Sequence, residues 1–375
     1  MNPATATCSP AAPTIFPDGR ATTASSKVVY SLQLLRAAAA ILVLIRHASK
    51  YAFAHDPARA FEVGQFGVDI FFIISGIVIF LTGRSLTWDR FLRRRIARIV
   101  PLYWLALSAA LVASLAGPRN DYWATNAVLS YFFIPAHESP TAIFPPIVAG
   151  WTLNFEMYFY LVCTFCLWLF PRRWFSLCVG LIIGCGILAG IPLLWPLLQG
   201  DGELIHPAFL VLLLPITAEF LAGLALGHLR DTGFRTPLWF NLALLVGACV
   251  WLIQVPGAQP YTLARPLYWG VPALFIVWAF LSAEEQLPFH RWRTGLLLGD
   301  ASYAIYLTHP IVLSVGDKLA GRLGLDLPVP AYLLGSVGTC LIVGVLCHKL
   351  VEKPLVRIAN KLLRLGGRNR VSAVA

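Results

Sequence analysis

Three ionisable side chains lie in apolar sequence where they could take a proton from a hydroxyl. His47 lies near the end of LLRAAAAILVLIRHASK, Asp69 in FGVDIFFIISG and Glu156 in WTLNFEMYFYLV. An imidazole titrates near neutral pH, so a histidine beside a carboxylate is the minimum equipment of a general base. Either Glu156 or Asp69 could orient it. Insertion into hydrocarbon costs a central charge roughly 2.5 to 3.5 kcal/mol, so such groups usually face a cavity or a partner. Each of the three alone fits a buried structural hydrogen-bonder. Together, at similar depth on separate segments, they point to a polar cavity open to the outer face.

Other polar groups extend this pattern. Arg36 precedes His47 by eleven residues, about 16 Å of helical rise with an angular offset of about 20°, so the two share a stripe. Arg36 lies near the cytoplasmic end and His47 near the outer end. Arg46 points about 100° away from His47 and is expected to snorkel outward. In RRRIARIVPLYW, Arg95 and Arg98 are three apart and share a helix face. They serve either as a positive-inside anchor or as a site for a phosphate-rich ligand, because arginine gives bidentate donors to phosphate. Ser302, Tyr306 and His309 share a face in SYAIYLTHP. Pro310 removes a backbone donor there and predicts a kink. Glu219 is a further buried carboxylate whose partner the sequence does not name.

The elements that must position these groups are transmembrane helices. With 58% hydrophobic and 13% charged residues in 375, the chain lies outside the range of a soluble domain. Its mean hydropathy is +0.71. Ten apolar runs near the length that crosses a bilayer are read at 31–53, 66–83, 100–117, 151–170, 174–195, 207–229, 238–255, 265–282, 296–316 and 329–350. The expected fold is an all-α polytopic transmembrane helical bundle. The runs are continuous where barrel strands would alternate. Residues 124–135 are apolar but short and read as interfacial or re-entrant.

Orientation follows from Lys and Arg. A cytoplasmic N-terminus puts Arg84–Arg98, Arg172, Arg173, Arg230, Arg235, Arg291, Arg293 and the C-terminal cluster inside. Lys50, Arg59, Arg119, Arg265, Lys318 and Arg322 fall outside. Both termini are therefore expected to be cytoplasmic. The net charge of +11 follows from this topology, and no nucleic-acid partner is implied. Residues 1–30 read as a disordered cytoplasmic tail with no signal-peptide h-region, 31–351 as the membrane domain and 352–375 as a basic cytoplasmic tail. Cys163 and Cys166 form a C-x-x-C in an apolar helix, read as packing, and no disulfide framework or metal site follows. No serine elbow, P-loop or HExxH pattern is present.

The motifs together carry a resemblance. Arg36 and His47, GVDIFFIISG, RRRIARIVPLYW, WTLNFEMYFYLV and SYAIYLTHP occur in an order that resembles the acyltransferase family 3 membrane proteins, over residues 30 to 355. These are integral-membrane O-acyltransferases of bacterial cell-surface sugars. The resemblance implies a donor of acetyl-CoA or a related acyl-CoA, no bound cofactor, and a sugar acceptor on a glycan or its lipid-linked precursor. His47 matches the family's essential histidine, Arg36 its paired arginine, and Arg95 with Arg98 its R-x-x-R feature. WTLNFEMYFY departs from the serine and paired glutamates of many members and resembles the exopolysaccharide-acetylating branch. No periplasmic hydrolase-like domain is expected after the last span, so the membrane domain acts alone or with a separate polysaccharide-assembly partner.

The expected location is the bacterial inner membrane, with lipid as a partner. In this reading Arg95 and Arg98 hold CoA phosphates and Arg36 lies near the pantetheine entrance. Ser302, Tyr306 and His309 contact substrate. His47 acts as the base, or attacks the thioester itself to give an acyl-imidazole. Two rivals differ in class: a transporter or glycan exporter, and an inactive scaffold of an assembly complex. Spans without paired Gly or Pro interruptions disfavour the transporter.

Overall fold

The computed structural model describes residues 28–53, 60–115, 120–136, 138, 144–199, 216–254, 265–325 and 327–365, with side chains of 188–199 excluded. The expected 1–30 tail lies outside these residues except for its last three positions. Among the described residues the secondary structure is entirely helical. Hydrocarbon explains this, because each backbone donor and acceptor must be satisfied within its own segment.

The helices are α1 (Tyr30–Ala52), α2 (Phe66–Gly83), α3 (Trp88–Ser114), α4 (Trp123–Tyr131), α5 (Trp151–Leu169), α6 (Trp174–Gln199) and α7 (Ile216–Asp231). They continue as α8 (Leu238–Gln254), α9 (Val271–Ser282), α10 (Arg293–Asp300), α11 (Ser302–Arg322), α12 (Val329–Cys347) and α13 (Lys353–Leu362). Five helical segments are long and apolar enough to cross a membrane: Tyr30–Ala52, Glu62–Gly83, Trp88–Ser114, Val148–Leu169 and Val329–Leu362. A sixth is the α10–α11 pair, bent by 68°. Shorter apolar helices cover Trp174–Ile187, Leu238–Gln254 and Pro266–Ser282. The multi-pass helical class is therefore present, with five or six such spans among the described residues where ten runs were read.

Three features differ from the sequence reading. The run at 296–316 breaks at Ala301, between α10 and α11, while α11 passes through Pro310 as one helix. Helix α3 begins at Trp88 and carries the arginine-rich stretch on the helix itself, so Arg95 and Arg98 have fixed directions. The chain also stays helical past 351, through His348–Glu352 into α13, and Glu352 is fully buried. A burial that complete needs a partner, described below.

Helix α2 lies at the centre, packed against α1, α5, α7 and α9. Its closest approach is to α7, where Gly223 faces the Ile73 carbonyl and Gly76 faces the Phe220 carbonyl. Small residues let two apolar helices bring their backbones into van der Waals contact where lipid offers no hydrophobic driving force. Phe159 and Phe220 stack beside this crossing, with ring centroids 3.8 Å apart. Cys163 Sγ lies 3.2 Å from Cys178 Sγ, which ties α5 to α6 by packing of free thiols. A Cβ on Gly223 would overlap the Ile73 carbonyl oxygen. Gly223→Ala is expected to destabilise the fold by about 1–3 kcal/mol through overpacking, read as a lowered melting temperature of the purified protein in detergent.

Candidate active site

The bent α10–α11 pair sets α11 beside α1. Arg36 Nε donates to Ser302 Oγ at 3.2 Å, and farther along both helices His47 Nδ1 lies 3.0 Å from His309 Nε2. The two helices therefore run side by side in the same direction. The stripe inferred for Arg36 and His47 is matched on α11 by Ser302, Tyr306 and His309.

At the Arg36 end, a cavity of about 90 Å³ opens between α1, α2, α3, α5 and α11. Arg36, Arg95 and Arg98 line it with Glu156, Tyr160, Ser75, Ser302, Tyr303 and Tyr306. Arg95 is nearly buried, donates to Thr82 Oγ1 at 2.6 Å, and lies 5.4 Å from the ring centroids of both Phe91 and Tyr160. This hydrogen bond and the two cation–π contacts fix its guanidinium. Arg98 pairs with Glu352 Oε1 at 2.9 Å, and Glu352 Oε2 also accepts from His348 Nδ1 at 2.8 Å. Here lies the partner that the buried Glu352 requires. Three guanidinium groups thus face two carboxyl groups, Glu156 and Glu352. The balance leaves the cavity cationic and suited to an anionic group.

At the other end lies the histidine pair, with ring centroids 4.9 Å apart. His47 is half-buried, and His309 is 1% exposed and approaches Ile305 O with Nδ1 at 3.3 Å. Tyr306 connects the two regions. It lines the cavity, shares a 3.1 Å hydrogen bond with Thr152 Oγ1, and places its ring centroid 5.8 Å from that of His309.

Neither expected carboxylate meets His47. Glu156 sits in the arginine cavity at the Arg36 end, away from His47, so the common depth read from sequence does not hold for it. Asp69 is fully buried and accepts two bonds from Arg265, Nε to Oδ1 at 3.1 Å and Nη2 to Oδ2 at 2.7 Å. That fork-on-fork geometry engages both its oxygens. Glu219 lies against the same pair. Arg265, assigned to an outer loop from sequence, is 1% exposed and lies 4.9 Å from the Trp269 ring centroid. Arg46 is also buried rather than snorkelling, and pairs with Glu62 at 3.0 Å.

Of the expected contact residues, Ser302 is fully buried and holds Arg36, while His309 holds His47. Sequence reasoning missed Ser75, Thr82, Thr152, Tyr160, Tyr303 and Glu352. Ser75, Thr152 and Tyr160 share segments with residues that were singled out, so their motifs carried the signal. For Thr82 and Glu352 no local pattern marked a partner.

Comparison with known proteins gives the family. Residues 29–348 match the model of an acyltransferase domain family. The chain is 34% identical over 315 residues to the exopolysaccharide production protein ExoZ of Rhizobium meliloti, covering 81% of this chain and 93% of that one. It is 28% identical over 367 residues to the acyltransferase MdmB of Streptomyces mycarofaciens, covering 88% and 92%. It is also 28% identical over 198 residues to the peptidoglycan O-acetyltransferase OatA of Listeria monocytogenes, covering 46% of this chain and 30% of that one. No solved structure matches the chain.

Proposed function

The chain belongs to the acyltransferase domain family, and from that membership we propose an integral-membrane O-acetyltransferase that acetylates a sugar hydroxyl of an exopolysaccharide or its lipid-linked precursor. The donor is an acyl-CoA, which reaches the protein from the cytoplasm. The likeness to an exopolysaccharide production protein over nearly all of both chains supports the acceptor class. The observation that carries the reading is the cationic cavity, joined by Tyr306 to the His47–His309 pair.

In this reading Arg36, Arg95 and Arg98 receive the anionic donor and Glu156 limits their excess charge. The acceptor hydroxyl gives its proton to His47 as its oxygen forms a bond to the acyl carbon. The carbon–sulfur bond breaks, and the sulfur leaves as thiolate and takes the proton back from the imidazolium. In the alternative order His47 attacks the thioester, the carbon–sulfur bond breaks to release thiolate, and the acyl-imidazole then passes its acyl group to the acceptor hydroxyl, whose proton goes through the freed imidazole to the thiolate. The full topology in this proposal is ten crossings of the bacterial inner membrane with both termini in the cytoplasm, as the arginine distribution favours.

The test is mass spectrometry of the extracellular polysaccharide from the host strain and from a strain lacking the gene. Loss of about 42 Da per substituted sugar on deletion, an acetyl replaced by hydrogen, is the expected result, with return to wild type on complementation. An unchanged spectrum in the deletion strain would refute this acceptor.

A further inference from the structure

We infer that His309 is a positioning residue that fixes the tautomer of His47, so that Nε2 of His47 is the atom that accepts the acceptor proton or attacks the thioester. The inference rests on the reading of His47 as the reacting group and adds which of its nitrogens reacts and what determines this. A carbonyl oxygen only accepts, so the contact of His309 Nδ1 with Ile305 O at 3.3 Å assigns the proton of His309 to Nδ1. A neutral imidazole has one donor and one acceptor, which makes His309 Nε2 the acceptor. His47 Nδ1, 3.0 Å away, must then be the donor. The lone pair of His47 is left on Nε2, and the Val43 carbonyl, one turn back on α1, is a second acceptor beside the ring. Among those residues no carboxylate hydrogen-bonds His309 to hold it as an imidazolium.

The arrangement has a consequence for the reaction. When Nε2 takes the hydroxyl proton, the new imidazolium keeps its Nδ1–H on His309 Nε2, so His309 stabilises the charge without exchanging a proton. In the acyl-imidazole route Nε2 carries the acyl group, and the Nδ1 proton has His309 Nε2 as its acceptor. In both routes the second histidine performs the orienting task that a carboxylate often performs.

The test uses the full-length protein in detergent micelles, labelled with ¹⁵N-histidine. The His47 resonances are assigned by their loss in His47→Ala. In the unsubstituted protein His47 is expected to show a protonated Nδ1 and an unprotonated Nε2. His309→Leu removes the acceptor, and the Nε2–H form of His47 should then appear. His309→Gln places an amide oxygen near the lost nitrogen and should restore the Nδ1–H form. Turnover should follow the spectra: a kcat loss of about 10² or more for His309→Leu at little-changed KM, mostly recovered in His309→Gln. A His47 found as the Nε2–H tautomer in the unsubstituted protein would overturn the inference. So would an unchanged His47 spectrum in folded His309→Leu or, should the leucine variant not fold, an Nε2–H His47 in folded His309→Gln. The spectra do not depend on activity: full transfer by His47→Ala would defeat the proposed role of His47, whereas a wrong tautomer defeats only this assignment.

Discussion

His47→Ala is expected to reduce kcat for acyl transfer by about 10³-fold, within the 10²–10⁴ range for a positioned general base, with the donor KM little changed. The separation of effects follows from the geometry. Arg36, Arg95 and Arg98 line a cavity that His47 does not line, so donor binding should survive the loss of the imidazole. The side chain is half-buried at the end of α1, and its removal leaves His309 Nε2 without its partner. That costs about 1–3 kcal/mol, and a melting curve measured beside the kinetics separates it from the chemical loss. Turnover within a few fold of the unsubstituted protein would contradict the assignment of His47 to the reaction.

The second large effect concerns folding. Arg265→Leu is expected to destabilise the protein by about 3–5 kcal/mol, the usual cost of breaking a buried pair from one side. Asp69 and Glu219 would then be left together without their cation. Asp69→Asn should cost less, because Arg265 keeps Glu219 nearby. The double variant Asp69→Leu, Arg265→Leu should recover part of the loss, since apolar replacements of a whole buried pair are often tolerated. Melting temperature and folded yield in detergent report the order. Equal loss from Arg265→Leu and Asp69→Asn would show that Glu219 does not feel the same cation.

Much of this arrangement is legible in the sequence. The Arg36–His47 stripe follows from helical periodicity alone, because eleven residues bring a side chain back to the same face. The same rule places Ser302, Tyr306 and His309 together, and the structure sets that face against α1. Pairing between helices is not legible in this way. The sequence put Asp69, Glu156 and His47 at one level, but Glu156 lies at the Arg36 end, and the direction each faces depends on how α2 and α5 are rotated by their own packing. Gly76 and Gly223 fix α2 against α7, and Asp69 then meets Arg265.

Boundaries fail for a related reason. The run 352–375 is charged and reads as a tail, yet Glu352 is pulled into the core by Arg98 from a helix more than two hundred and fifty residues earlier. No local window contains both partners. Pro310 shows the converse: its missing donor predicts a kink, but α11 runs through it and the chain bends at Ala301. Local backbone chemistry gives a tendency, and packing decides where the bend falls.

On the proposed function, one imidazole connects an anionic acyl donor to a sugar hydroxyl. The most direct test is release of free CoA by the purified full-length protein supplied with acetyl-CoA, with and without the host's polysaccharide repeat unit, for unsubstituted protein and for His47→Ala at matched folded concentration. CoA release that needs the acceptor and falls by about 10³-fold in the variant is the expected result. Acceptor-dependent release that persists in His47→Ala, or its absence from the unsubstituted protein, would contradict it.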